Sequence, residues 1–151
     1  MPWELRYYTD SRGREPCRDW IDALILDRRQ TAKGLAALAA LDLVLARLGI
    51  DVCETEWGRN LGGGLYEFRV RHTKPEIDRM FDEAGVEGSP DPSRGRGKER
   101  VLLRIFFHAY GERIILLLAG FDKGRYPKKQ DAEIARARKL LDDFRASRGK
   151  G

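Results

Sequence analysis

The chain has 151 residues, of which 42% are hydrophobic and 35% charged, so it has enough apolar material for one core and is not typical of a disordered or fibrous protein. Its formal net charge is +5, with the positive charge concentrated in two strand-like segments and in residues 121–151, which favours a polyanion partner or a basic protein with a solvated tail. Two cysteines cannot form a disulfide framework, and the longest apolar run, residues 114–121, is far shorter than the ~20 residues of a membrane span.

The length fits a single domain that spans residues 1–151. The N-terminus has no basic segment followed by an apolar one, so we expect no signal peptide and no membrane partner. Sparse cysteines are typical of a reducing compartment, and we expect a cytoplasmic location.

The first third of the chain predicts a strand and two helices. Apolar residues alternate over residues 3–8, which indicates a strand. Helical spacing predicts one helix from Glu15 and another over residues 31–48, and Gly49 stands where a helix is expected to stop. We expect the two helices to form a hairpin. The apolar stripe of the second helix is predicted to consist of Leu35, Leu38, Leu41, Leu45 and Leu48.

The remaining elements are three strands and a helix. Gly62-Gly63-Gly64 is interpreted as a flexible lead into a strand over residues 65–72. Further strands are predicted over residues 101–109 and 113–121, and a helix over residues 131–145. This order predicts an α+β domain with a small, mainly antiparallel sheet covered on one face.

Residues 73–98 form a predicted insertion between two strands, because hairpin loops usually span only ~2–5 residues. Thr73 and Glu76 have the spacing of a capping box, and the residues after them predict two helical turns. Residues 85–98 are rich in glycine and proline and are predicted to be mobile. A tolerated surface insertion is favoured over a lid or partner-binding element. The apolar residues that predict these two helical turns are Ile77, Met80, Phe81 and Ala84.

Several common catalytic motifs are missing from the sequence. It contains no Walker phosphate loop, no dinucleotide fingerprint and no Gly-x-Ser-x-Gly. The two histidines, His72 and His108, are too few for a His-rich metal site. We therefore expect neither a metal nor a cofactor.

A row of polar side chains shares one face of two predicted strands. If these strands are neighbours, their arginines converge, and like charges opposite one another destabilise a sheet unless an anion such as RNA phosphate meets them. The alternative is a solvated polar face in which Glu67 offsets an arginine. The row consists of Glu67, Arg69, Arg71, Arg104 and His108, and it continues into Lys123 and Arg125.

Arg104 and His108 are the strongest candidates for chemistry. Arg104 interrupts a strand that is otherwise apolar on both faces, so its charge must be paired or functional. The reference pKa of histidine, ~6.5, suits proton transfer near neutrality, which makes His108 a candidate catalytic residue. The alternative is a hydrogen-bonded histidine near a strand end. His72 is the weaker candidate because it borders the insertion.

The order of these motifs resembles the RelE/HigB superfamily of bacterial toxins, in particular the HigB-like branch with phage-derived relatives. The resemblance covers most of the chain apart from the insertion and the extreme C-terminus. It rests on the short motifs Gly63-Gly64-Leu65-Tyr66-Glu67-Phe68-Arg69-Val70-Arg71, Leu103-Arg104-Ile105-Phe106-Phe107, residues 114–121, Asp122-Lys123-Gly124 and Glu133-Ile134-x-x-Ala137.

The resemblance implies a RelE-like fold with an N-terminal helical hairpin and a C-terminal helix. It implies an mRNA interferase, an endoribonuclease that cuts the codon in the ribosomal A site by attack of the 2′-hydroxyl on the adjacent phosphate, without a metal. It also implies a cognate helix-turn-helix antitoxin, HigA-like, that neutralises the toxin.

The resemblance also implies roles for individual residues. The arginines and a lysine would stabilise the transition state, and His108 is the candidate for moving protons. Residues 122–127 and the insertion depart from the family pattern. Two rivals therefore stay open: a RelE-fold protein that binds RNA or antitoxin without cleavage, and an RNase that acts on free RNA. Together with the residue-level analysis, the predicted catalytic residues are Arg69, Arg71, Arg104, His108 and Lys123, and the predicted RNA-binding residues are Arg125, Tyr126, Lys128 and Lys129.

Overall fold

A computed structural model describes residues 2–80 and 101–149 of the chain. The described residues form an open five-stranded sheet with the order β1-β5-β4-β3-β2. Strand β1 is parallel to β5, and all the other pairs are antiparallel, which confirms the α+β class and the mainly antiparallel sheet. The strands are β1 (Glu4–Tyr7), β2 (Gly58–Gly62), β3 (Leu65–Val70), β4 (Leu103–Tyr110) and β5 (Ile114–Asp122).

Helices precede and follow the sheet strands. Helix α2 continues through a π-helical segment, Leu41–Leu45, into the short α3, and a 3₁₀ segment, Gly49–Glu54, then leads to β2. Another 3₁₀ turn, Pro127–Lys129, precedes the last helix. Within the part of the chain that the structure describes, no helix is both long and apolar enough to cross a membrane. The helices are α1 (Pro16–Leu26), α2 (Thr31–Ala40), α3 (Ala46–Leu48), α4 (Lys74–Met80) and α5 (Gln130–Gly149).

The buried stripe of α2 differs from the predicted one. Leu35, Leu38 and Leu48 are more than a third exposed, so the prediction of a leucine stripe is wrong at these positions. The reason is close packing on α1, because a Cβ at Gly34 would lie only 2.6 Å from Ile25 Cγ1. Small side chains are needed for such a close approach. Leu41 and Leu45 of the predicted stripe are buried, and the other buried residues are Ala36, Ala37, Ala40 and Val44.

The glycine run forms the turn of a β-hairpin. The sequence pattern does not predict β2, because this strand has one apolar side chain, Leu61, and therefore shows no alternation. Gly63 and Gly64 have φ angles of +64° and +85°, and they join β2 to β3. Positive φ at both central residues is the requirement of a type I′ hairpin turn. The interpretation as a flexible lead into a strand is therefore wrong.

Helices pack on both faces of the sheet, whereas the sequence predicted cover on one face. Helices α1 and α2 contribute to the larger cluster, with Phe68 and Ile105 of the sheet. On the other face, Ala137 and Leu141 of α5 pack with Phe106. Ile134, Leu140 and Phe144 of α5 are partly buried against the same cluster.

The predicted insertion begins with a helix that belongs to the core. Thr73 N donates to Glu76 Oε1 over 3.0 Å, and Glu76 N lies 3.4 Å from Thr73 Oγ1, so the capping box is confirmed. Ile77 of α4 is fully buried in the larger cluster, where α4 packs against α2. The predictions for Phe81 and Ala84, and for mobility of residues 85–98, lie outside the described residues.

Candidate functional site

The strand register places two arginines opposite each other. Strands β3 and β4 are antiparallel neighbours, with Arg69 opposite Arg104 and Glu67 opposite Phe106. Because Phe106 packs under α5, this pairing puts all four side chains on the α5 face of the sheet. The expected convergence of the arginines of β3 and β4 is confirmed. We call Glu67, Arg69, Arg71 and Arg104 the arginine cluster.

The centre of the arginine cluster is the buried carboxylate of Glu67, which has no exposed surface. Its Oε1 accepts a hydrogen bond from Arg69 Nε over 2.9 Å and lies 3.7 Å from Arg104 Nε. Its Oε2 accepts a hydrogen bond from Gln130 Nε2, at the start of α5, over 2.6 Å. The alternative that Glu67 offsets an arginine is therefore confirmed, but in a buried site and not on a solvated face.

Arg104 is a buried cation with an incomplete set of partners. Its side chain is 4% exposed, and Nη1 donates to the carbonyl oxygen of Leu103 over 3.1 Å. Among residues 2–80 and 101–149, none accepts a hydrogen bond from its Nε. Burial lowers the pKa of Arg104, Glu67 raises it, and the charges of Arg69 and Arg71 lower it further. Burial therefore disfavours the positive charge of Arg104, and the Glu67 carboxylate favours it.

The arginine cluster has an excess of positive charge and an open side. It contains three arginines and one carboxylate. Arg71 is exposed and forms no ion pair with another described residue, and the Arg69 side chain is 23% exposed. An anion that reaches this side would relieve the repulsion between the arginines, since guanidinium groups match the oxygens of phosphate.

A basic segment, residues 123–129, borders the arginine cluster. It begins at the end of β5, where Lys123 N donates to the carbonyl oxygen of Leu102 over 2.8 Å. It ends at Gln130, which contacts Glu67 on β3. The segment therefore crosses β4 beside Arg104. Lys123 is half-buried, and the residues from 124 to 129 are exposed.

The predicted RNA-binding residues lie together in the basic segment. Tyr126 is 42% exposed, and its ring lies 5.5 Å from the Arg125 guanidinium and 4.4 Å from Lys129 Nζ. Lys128 and Lys129 belong to the 3₁₀ turn. The arrangement offers an aromatic face with cations beside it, which suits a base and its phosphate.

Asp122 anchors the start of the basic segment. Its Oδ2 lies 2.6 Å from Lys33 Nζ of α2, and its Oδ1 accepts a hydrogen bond from Arg125 N over 3.1 Å. Its carbonyl oxygen accepts another from Tyr126 N over 2.9 Å. One nearly buried carboxylate thus orders the turn that carries the exposed cations.

His108 lies at the other end of the same face. Its Nδ1 is 2.6 Å from the carbonyl oxygen of Gly64, which places the ring proton on Nδ1. The ring packs between Tyr110 and Phe144, with centroid distances of 6.4 and 6.2 Å. Four residues along a strand span ~13 Å, so the structure does not bring His108 together with Arg104.

The pKa of His108 lies below its ordinary value. Burial is the main cause, and the charges of Arg145 and Arg148 lower the pKa further, whereas the hydrogen bond to Gly64 raises it. The neutral imidazole is therefore favoured in the folded protein.

Two further residues of the site, Gln130 and Arg59, are not predicted from the sequence. Gln130 stands just before the periodic part of the last helix, and no sequence signal marks its contact with Glu67. Arg59 lies opposite Glu67 on β2, so it shares the α5 face, and it is exposed. Predicting β2 as the partner of β3 in a hairpin would have found it.

Within the described part of the chain, no group of three or more His, Cys, Asp or Glu side chains is arranged to hold a metal ion. In comparisons with known proteins, neither a family model nor a curated protein matches the chain. Function is therefore inferred from the arginine cluster and the basic segment, together with the resemblance carried by the sequence motifs.

Proposed function

We propose that this protein is a RelE/HigB-type toxin that cleaves mRNA on ribosomes. The observation that carries the proposal is the pairing of Arg69 and Arg104 across two strands, with one buried carboxylate to offset both. Like charges opposite one another destabilise a sheet, so the arrangement is best explained by an anionic ligand. The helices α1 and α2 are, in this proposal, the N-terminal hairpin of a RelE-like fold.

The neighbouring residues favour RNA as the anion. The exposed cations Arg125, Lys128 and Lys129 would attract a phosphate backbone, and Tyr126 offers a ring on which a base can stack. A small isolated anion needs neither of these features. The arginine cluster and the basic segment together fit a single-stranded nucleic acid.

The proposed reaction uses the 2′-hydroxyl of the RNA itself. This oxygen loses its proton and attacks the adjacent phosphorus, forming a 2′,3′-cyclic phosphate. The bond to the 5′-oxygen breaks, and that oxygen gains a proton and leaves as a 5′-hydroxyl. Arg69, Arg71, Arg104 and Lys123 would stabilise the additional negative charge of the transition state, which a preorganised site does well.

The proton carrier in this reaction stays a prediction. The reference pKa of histidine makes His108 the candidate, but its ring is hydrogen-bonded to Gly64 and packed against Phe144, at the other end of the face. This geometry favours a role in holding α5 on the sheet. Substitution of His108 by alanine distinguishes the two roles.

The proposal includes the partners of such toxins. The mRNA and the ribosome provide the substrate in the cytoplasm, and a HigA-like helix-turn-helix antitoxin neutralises the toxin. A neighbouring gene that encodes a helix-turn-helix protein would support this part of the proposal, and its product should suppress the toxicity when the two are expressed together.

Purified protein incubated with translating ribosomes and, separately, with naked RNA tests the proposal. Cleavage that requires ribosomes and yields 5′-hydroxyl ends supports it. Cleavage of both substrates indicates a ribosome-independent RNase. Binding without any cleavage indicates a RelE-fold protein that only binds RNA or antitoxin, and either of these two results overturns the proposal.

A further inference from the structure

The Glu67 carboxylate is engaged by side chains from three elements. Arg69 of β3 itself and Arg104 of β4 approach Oε1, and Gln130 of α5 donates to Oε2 over 2.6 Å. A carboxylate that has no exposed surface and accepts on both oxygens has a fixed orientation. The arginines that approach it are therefore restrained as well.

This restraint has a direct consequence for an anion site. Without Glu67, Arg69 and Arg104 would repel each other before any ligand arrives, and the buried Arg104 would have no counter-charge. With Glu67 alone, the carboxylate would be free to turn toward one arginine. The hydrogen bond from Gln130 removes that freedom, because it fixes Oε2 and so leaves Oε1 between the arginines.

We propose that Glu67 and Gln130 are positioning residues, which hold Arg69 and Arg104 ready for the phosphate. This inference rests on the proposed function for its substrate, although it concerns the geometry of the unliganded protein. Neither residue needs to touch the RNA. Gln130 acts through Glu67, and Glu67 acts through the arginines.

A purely structural role for Gln130 is the competing explanation, since its hydrogen bond also joins α5 to the sheet. Helix α5 has other attachments farther along. Arg138 donates to the carbonyl oxygens of Leu61 and Gly62 over 2.7 and 3.1 Å, and Arg145 donates to that of Gly63 over 2.9 Å. Arg138→Ala is therefore a matched control, which weakens the attachment of α5 without touching the arginine cluster.

The kinetic experiment compares Gln130→Ala with Arg138→Ala in single-turnover cleavage on ribosome complexes. Gln130→Ala should lower the rate at least ~10-fold with ribosome association within about 2-fold of wild type, because a small misplacement of reacting groups has effects of up to ~10²-fold. Arg138→Ala should lower the melting temperature similarly and leave the rate unchanged. Equal rates in the two variants overturn the proposal.

A second measurement does not depend on cleavage. The Nε–H signal of Arg69 in a nitrogen-resolved NMR spectrum should exchange slowly with water in the wild type, because Glu67 accepts that hydrogen bond. In Gln130→Ala its exchange should be at least ~10-fold faster, and in Arg138→Ala it should stay slow. Unchanged exchange in Gln130→Ala overturns the positioning role even if the protein cleaves RNA. If the wild type does not cleave, the proposed function fails, and this measurement still decides the positioning role.

The charge of Glu67 is tested by a pair of variants. Glu67→Gln keeps the shape without the charge, and Glu67→Asp keeps the charge on a shorter side chain. The Nε–H exchange of Arg69 should be fast in Glu67→Gln and partly restored in Glu67→Asp. If Glu67→Gln does not fold, Gln130→Ala still decides the outcome, and slow exchange in that variant overturns the proposal.

Discussion

Arg104 and His108 lie on the same strand and the same face, yet they differ in burial and in hydrogen-bond partners. His108 is half-buried, with a carbonyl oxygen for its proton and two aromatic rings around it. Arg104 is more deeply buried, opposite another arginine, with no acceptor for Nε among the described residues. The hydrogen bond and ring contacts of His108 are satisfied inside the fold, whereas the excess of like charge around Arg104 is what the proposed anionic ligand would offset.

The position of α5 explains why the surroundings of His108 and Arg104 differ, at the two ends of this face of the sheet. Its C-terminal half carries Phe144 and Arg148, which close over His108 and Tyr110. Its first residue, Gln130, only reaches the edge of the arginine cluster. The face is therefore partly covered by α5 at the His108 end and exposed at Arg71.

The largest expected effect is that of Arg104→Ala. Loss of a contact made to the transition state typically reduces the rate ~10²–10³-fold. Single-turnover cleavage should fall by this amount, with ribosome association near that of the wild type. Circular dichroism and melting curves provide the folding control. A folded variant that cleaves at nearly the wild-type rate would show that Arg104 is only a paired structural charge.

His108→Ala should lower the stability of the protein and leave its cleavage rate near that of the wild type. The variant loses the hydrogen bond to Gly64 and the ring contacts with Phe144, and leaving the carbonyl group without its partner costs ~1–3 kcal/mol in the free energy of unfolding. Urea denaturation measures that loss, and the cleavage rate per folded molecule should stay near wild type. A steep loss of rate without loss of stability would instead restore His108 as the proton carrier.

The pH dependence of stability provides a third test. Because the folded protein lowers the pKa of His108, the unfolded chain takes up a proton at a higher pH than the folded protein does. The contribution of His108 is complete above the ordinary pKa of ~6.5 and is lost as the pH falls from there toward the lower pKa of the folded state. Unfolding midpoints from pH 7.5 to 5 should therefore decrease less in His108→Gln than in the wild type. A His72→Gln variant is the control, and equal slopes in wild type and His108→Gln would contradict the prediction.

Replacing Lys128 and Lys129 together by alanine should weaken binding without changing the chemical step. Both are exposed in the 3₁₀ turn, so their expected role is attraction of phosphate. The dependence of log affinity on log salt should flatten by ~0.7 for each single-strand phosphate contact that is lost. A fall in the single-turnover rate on bound substrate would place these lysines in the catalytic site instead.

Arg59→Ala tests the edge of the arginine cluster and has the smallest expected effect. Arg59 shares the α5 face, whereas Arg47 of α3 is exposed elsewhere. Removal of Arg59 should flatten the salt dependence of RNA binding by ~0.7, and Arg47→Ala should leave it unchanged. Identical slopes in the two variants would exclude Arg59 from the RNA path.

Local patterns in the sequence determined the elements that have strong periodicity. Alternation in β3, β4 and β5 and the apolar residues of α1 were sufficient to predict these elements, and the spacing of Thr73 and Glu76 predicted the start of α4. Strand parity also placed Arg69 and Arg104 on one face. These predictions succeeded because burial of one face imposes a fixed period on the chain.

Only the tertiary structure determined which residues each helix or strand face contacts. Leu35 and Leu38 follow the helical period of α2, yet the close approach to α1 selects alanines for the interior. The contact of Gln130 with Glu67 joins residues 63 positions apart, and the partial burial of His108 depends on where α5 lies. Such pairings arise from the packing of whole elements, and a periodic pattern within one element carries no information about them.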